Sequence, residues 1–476
     1  MRTPSILAAV AALAVTAVAG CDAHDRAEGS ADVPTVTLAF ALPNDDVDPQ
    51  IQLWVDEVHR KSHGTISFDF QRAAHGGDSD SESKIVADVR DGTVDLAWVG
   101  SRVFDRLGVT SFQPLMAPLL VDSYDLESAV FDAGIPQQML AGVADIDLQP
   151  VGILPGPLRR IFSLGEPLTS PDAFDGRVIG STDSVVADLT WAALGATGQA
   201  MPTGADISGL DGAEQQLGSI VGNHYEDKGM TSITANLSIW PRPLVIVANP
   251  EAWAALSEDH RAVMTDAAVD IADDALAMTR TEDASAARSE CAFGVPMETA
   301  SGSELAAFRS AFEPVAQEIA AASSDSSRWL EEITDLKSAL AAPQETAGCD
   351  EEGSTSDAQA ADAVAGEYEV TLTNADFDVC PADQRPDGDP SATLPLILEL
   401  SGGIATVWEV TADGSRELGF KAPYSVFRDT LTLGDPGRGD ITVTWALDGT
   451  DLTLTDMVGG ECGDSVVWTS HQFERR

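Results

Sequence analysis

Hydrophobic positions fall into three textures along the chain. Ile6 to Ala19 is a continuous apolar run behind a short basic start, Met1-Arg2-Thr3. It is shorter than the roughly 18 residues a spanning helix needs, so it predicts a signal-peptide core within residues 1–20, and residues 21–33 read as a small, polar tether. From Thr35 the pattern alternates between period two and helical spacing. Thr35 to Phe40 reads as a strand, and Ile51, Leu53, Trp54, Val55 and Val58 form the stripe of a helix. Thr65 to Phe70 alternates as a second strand, Ile85, Val86 and Val89 mark another helix face, and Val94 to Trp98 is a third strand after Gly92. This β-α-β-α-β order implies a parallel sheet with covering helices.

The same texture continues to about residue 344. Strands are expected at Leu148–Leu154, Arg160–Leu164, Arg177–Gly180 and Pro243–Ala248. Helices are expected at Asp183–Leu194, Ser257–Glu290, Ser303–Ala322 and Ser327–Ala341, the second long enough to bridge two lobes. Residues 345–364 are acidic, small and poor in apolar side chains, which predicts a linker. After Gly366 short strands punctuated by Gly, Asp and Pro take over, at Tyr368–Leu372, Pro395–Leu400, Ala405–Val410, Ile441–Leu447 and Leu452–Thr455. That third texture predicts a barrel or sandwich over residues 365–476. The expected fold is an α/β body over residues 34–344 followed by a small all-β domain.

Charge narrows the partners. Acids outnumber bases 77 to 27, a formal charge of −50. Phosphate neutralisation needs clustered Lys and Arg, so no nucleic-acid binding is expected, nor docking on anionic lipid by charge. No later run is long and apolar enough to span a membrane. The signal core ends in Val18-Ala19-Gly20-Cys21, which resembles a bacterial lipobox: Cys21 would be lipidated, become the new N-terminus and hold the exported protein on the outer face of the cell membrane. An ordinary cleavage site beside a cysteine is the other reading. In an oxidising compartment Cys291, Cys349, Cys380 and Cys462 imply two disulfides. Three pairings are possible; Cys291–Cys349 and Cys380–Cys462 keep each domain self-contained across the composition break.

Catalytic signatures are missing from the sequence. It has no CxxC, HExxH, GxSxG or Walker loop, and its seven histidines are scattered. No enzyme activity, metal or cofactor is therefore expected. His75 to Glu82 has alternate acids like a short calcium loop, but it precedes a helix, and N-capping with dipole complementation accounts for it better.

Five segments, in order, carry a family resemblance: Asp91-Gly92-Thr93-Val94-Asp95-Leu96; Glu166 to Gly176, with Pro167, Pro171 and Asp172; Ala193-Leu194-Gly195-Ala196; Asp211-Gly212-Ala213-Glu214; and Asn249-Pro250-Glu251-Ala252-Trp253 through Leu256. Together they resemble the DctP family, the extracytoplasmic solute-binding proteins of TRAP transporters. The resemblance implies a two-lobe periplasmic-binding-protein fold with a hinge, capture of a small organic acid by lobe closure, and delivery to TRAP-type permease subunits. Arginines hold carboxylates in this family through paired hydrogen bonds. Counting back from Pro167 puts the ligand-facing arginine at Arg160, with Arg159 as its solvated neighbour. The family's second arginine falls on Gly180, which would leave an opening there, and its usual asparagine on Gln215. Trp98 and Trp240 are further candidates, because strand ends meet ligands in open α/β sheets. Asp211 and Glu214 read as structural or hinge-pairing acids. Residues 365–476 look like a small lipocalin-like domain, carried by Gly366-Glu367-Tyr368 and the hairpin from Thr444 to Leu454. An orphan binding lipoprotein serving sensing or presentation is the alternative function.

Overall fold

The computed structural model describes residues 35–476, apart from 46, 202–205, 341–348, 350–362, 382–384, 386–390, 412–413, 428–429, 435–440 and 461. The signal core, Cys21, the tether and most of the linker lie outside the described residues.

The first lobe starts as its pattern predicts. β1 (Val36–Ala41), α1 (Pro49–Lys61), β2 (Ile66–Gln71), α2 (Ser81–Arg90) and β3 (Leu96–Gly100) follow in order, with β1 parallel to both β2 and β3. Two short helices, α3 (Tyr124–Asp132) and α4 (Ile135–Leu140), lead to β4 (Gln149–Leu154) at the sheet edge. The chain then crosses into the second lobe for β5 (Leu158–Ser163), β6 (Val178–Ser181), α5 (Val185–Ala193), β7 (Thr197–Ala200), β8 (Gly212–Gln216), α6 (Leu217–Gly222) and β9 (Ser232–Pro241). It returns as β10 (Leu244–Ala248), which lies antiparallel between β3 and β4. The first sheet therefore runs β2-β1-β3-β10-β4, and β3 and β10 are buried along their whole length, as strands covered on both faces must be.

Helices close this body: α7 (Pro250–Ala255), α8 (Glu258–Asp270) and α9 (Ala272–Ala292), then the short β11 (Met297–Glu298) that completes the second sheet, β11-β9-β5-β8-β6-β7. The single helix expected over Ser257–Glu290 is broken at Ile271, whose side chain turns into the first lobe's core. α9 still bridges the lobes: Gln50 on α1 hydrogen-bonds Thr279 near its start, and Ala286 packs into the second lobe's core. α10 (Gly302–Ala322), opened by a Ser301–Glu304 capping box, and α11 (Ser324–Ala339) complete the body.

Two strand crossings form the hinge, Pro155-Gly156-Pro157 between β4 and β5 and Pro241-Arg242-Pro243 between β9 and β10. They touch: the Arg242 N–H donates to the Pro157 carbonyl at 3.0 Å. A Cβ at position 156 would stand 1.8 Å from the Arg242 carbonyl oxygen, so only glycine lets the crossings pass.

The C-terminal domain is one antiparallel sheet, built from β12 (Gly366–Thr373), β13 (Thr393–Ser401), β14 (Ile404–Val410), β15 (Arg416–Phe427), β16 (Thr430–Leu433), β17 (Ile441–Asp448), β18 (Asp451–Val458) and β19 (Glu474–Arg475), with α12 (Cys462–Thr469) packed against it. A bridge from Leu452 to Phe473 brings β18 beside the far edge, so the sheet nearly closes. Its interior is filled by side chains, including Tyr368, Leu398, Val426, Leu454 and Trp468. Both expected disulfides are present, Cys291–Cys349 and Cys380–Cys462. Among the described residues no helix is long and apolar enough to cross a membrane.

Candidate functional site

The cleft lies where the two sheets face each other beside the hinge. Three arginines line it among the described residues: Arg102, just after β3; Arg159, on β5; and Arg242, in the hinge. Each is held by an internal carboxylate. Arg159 Nε donates to Glu214 Oε2, and its terminal nitrogen to the Glu214 backbone carbonyl at 3.0 Å. Arg102 pairs with Glu82, whose other oxygen accepts from the Gly100 N–H at 3.0 Å. Arg242 reaches Glu82 at 3.4 Å and Asp48 at 3.7 Å, and stacks its guanidinium 5.0 Å above the Trp98 ring.

Burial and charge act against each other here. Burial pushes Arg102 down to about 10, countered by Glu82. For Glu82 burial works toward a higher pKa, but Arg102 and Arg242 outweigh it and the carboxyl sits below its ordinary range. Asp48 goes the other way, raised because its burial exceeds the pull of Arg242.

The lobes already touch across this space. Arg102 Nε donates to Thr182 Oγ1 at 2.6 Å. Below it Arg106 pairs with Asp183 and Asp188, while Asp105 accepts from Ser184 Oγ at 2.7 Å and from the Val186 N–H at 3.1 Å at the start of α5. The space left between the arginines is about 90 Å³.

Adjacent strand residues face opposite ways, and this exchanges the two arginines expected here. Arg159 lines the cleft; Arg160 points to the far side, where it pairs with Asp283 on α9 at 2.7 Å and donates to the Ala235 carbonyl. The opening expected above Gly180 is absent as well: a Cβ there would meet Leu210, Ala213 and Met201, all within 2.9 Å. Gln215 does line the cleft. Trp240 lies in the second lobe's core against Trp191, and Trp98 is buried beneath Arg242.

Among the acids, Asp211 has the structural role read for it, bonding Arg177 and the Val178 N–H. Glu214 is a hinge-side pairing acid, also accepting from the Thr182 N–H. The capping expected from the His75–Glu82 stretch is not made by a side chain: Asp80 pairs with Lys84 instead, and Glu82 turns to the cleft. Sequence reasoning missed Arg102, Arg242 and Glu82. Arg242, flanked by two prolines, and Glu82, an acid in the first turn of a helix, were legible by position, whereas Arg102 carried no signal.

Residues 41–323 match the family described as bacterial extracellular solute-binding protein, family 7, or DctP. No curated protein matches the sequence. Solved structures share the fold at low identity. A TRAP periplasmic solute-binding protein from Ralstonia eutropha with bound (S)-2-acetolactate is 19% identical, covering 63% of this chain and 98% of its own, at a TM-score of 0.55. One from Desulfovibrio salexigens with bound orotic acid is 15% identical, with coverages of 63% and 98% and a TM-score of 0.57. An extracytoplasmic solute receptor from Bordetella pertussis binding pyroglutamic acid is 15% identical, with coverages of 63% and 100% and a TM-score of 0.56. With a two-lobe body, a double strand crossing and a matching profile over more than half its length, the chain belongs to the DctP family of bacterial extracellular solute-binding proteins.

Proposed function

We propose that the protein captures a small organic acid with one carboxylate in the cleft and delivers it to TRAP-type permease subunits, held at the outer face of the cell membrane by lipid on Cys21. The observation that carries this reading is the balance of charge in the cleft. Arg102, Arg159 and Arg242 supply three positive charges, each already paired with Glu82, Glu214 or Asp48, and Asp78 and Asp183 line the same space. A cleft whose arginines are already paired has little to offer a second carboxylate, whose desolvation would go uncompensated. The acids bound by the structures from Ralstonia eutropha, Desulfovibrio salexigens and Bordetella pertussis fit that class. Arg159 and Arg102 are the groups that meet the acid, with Gln215 beside them.

Calorimetric titration against mono-acids, di-acids and neutral solutes tests the reading. The expected outcome is a mono-acid as best ligand, with Arg159→Ala and Arg102→Gln each weakening it about 30-fold or more. A C4-dicarboxylate as best ligand, or both variants binding like wild type, would sink it.

One observation favours a second role beside transport. The solved structures are spanned over 98–100% of their own length but cover only 63% of this chain, so the β domain is an addition to their common body. An added domain supports presentation of the loaded state to a sensing partner. A pull-down of that domain with envelope proteins, with and without solute, separates the two.

A further inference from the structure

The seam between the second lobe and the β domain gathers more negative charge than the protein itself neutralises. One ammonium, Lys421 Nζ on β15, stands 3.1 Å from Glu226 Oε1 and 2.9 Å from Asp227 Oδ2. His224 meets the same Glu226 oxygen through Nδ1 at 3.1 Å. Behind them Glu290, near the end of α9, is fully buried, and neither of its carboxyl oxygens has a hydrogen-bond partner. The charges it feels are those of Glu226 and Lys421. Glu226 Oε2 is buried and without a partner too. Among the described residues, three carboxyl groups and an imidazole thus gather around Lys421.

An orphaned carboxyl is costly to bury unless a cation answers it. Meanwhile ligand atoms of His224, Glu226 and Asp227 all lie within 4.8 Å of one another, close to the spacing that one ion bridges. A cavity of about 360 Å³, lined by Glu226, Asp227, Phe293 and Lys421, gives solvent a path to them.

We propose that this seam is a divalent-cation site in which His224, Glu226 and Asp227 ligate the ion, Glu290 faces it from behind, and Lys421 is the counter-charge the ion displaces. A set of one imidazole nitrogen and carboxylates suits a borderline ion such as zinc, whereas calcium takes about six to eight oxygens. The site is separate from the cleft and does not depend on what the cleft binds.

The test titrates Zn²⁺ into the purified full chain with its disulfides intact, with Ca²⁺ in parallel. One zinc per chain is expected, weakened about tenfold or more by His224→Ala and by Glu290→Gln. Lys421→Met is expected to tighten zinc several-fold, because the competing ammonium is gone. That direction guards against a folding defect, since a damaged seam loses affinity and does not gain it. Zinc uptake that is absent, unchanged by His224→Ala or weakened by Lys421→Met overturns the proposal, as does calcium binding tighter than zinc.

Discussion

Arg160 and Asp283 form an ion pair whose side chains are only 4% and 6% exposed, tying β5 to the bridging helix α9. Removing one partner strands a buried charge, so Arg160→Ala should lose about 3–5 kcal/mol of stability. Urea unfolding measures it, and a loss under about 1 kcal/mol would mean the pair is solvated. Glu127 sits close by, with Oε1 accepting from the Gly156 N–H at 3.0 Å in the hinge. Burial raises its carboxyl from 4.5 to about 8. The folded chain therefore holds this proton more tightly than the unfolded one. Its contribution is fully present below about pH 4.5 and is lost as pH rises through about 8. Glu127→Gln, which stays neutral, should match wild type in Tm near pH 4.5 and exceed it increasingly toward pH 8; a constant gap would contradict this. At this scale the sequence was ambiguous. It placed Arg160 toward the ligand with Arg159 as its solvated neighbour, but alternation makes one residue of register decisive.

The hinge crossings join the two lobes and are their closest backbone approach described above. Gly156→Ala would push a methyl into the Arg242 carbonyl, 1.8 Å from where its Cβ would stand, and the crossings would have to separate. A loss of about 1–3 kcal/mol is expected, with weakened solute binding because the lobes no longer meet at their present angle. Calorimetry on the variant reads both, and an unchanged Tm with unchanged affinity would remove the close approach from the account. Elements with strong periodicity were legible: β1 to β3 with α1 and α2 fall where their apolar spacing puts them. β15 was not expected, although Phe420, Ala422, Tyr424 and Val426 do alternate inward, because Gly419 and Pro423 interrupt the run in the manner of a loop. The break at Ile271 was hidden for the opposite reason, since no glycine or proline marks it.

For the whole molecule, the alternating texture became two sheets and the short-strand texture a third, and the cysteine arithmetic matched the two bonds. The 82-residue span closed by Cys380–Cys462 should stabilise the β domain by about 2–5 kcal/mol. Replacing both with serine should split off a lower-temperature transition in a calorimetric scan while the two-lobe transition stays in place. A single unaltered transition would show that the β domain does not melt as its own unit. What no sequence pattern announced was where that domain sits. Lys421 clamps β15 to Glu226 and Asp227 of the second lobe, and its ammonium lies 4.8 Å from the Phe293 ring just past α9. A rigid body mounted on one jaw of a clamp behaves as the needle of a gauge. Any rotation at the crossings would carry that domain along with the second lobe, through a displacement that grows with distance from the pivot. Under the presentation role proposed above, the position of that domain would report the state of the cleft.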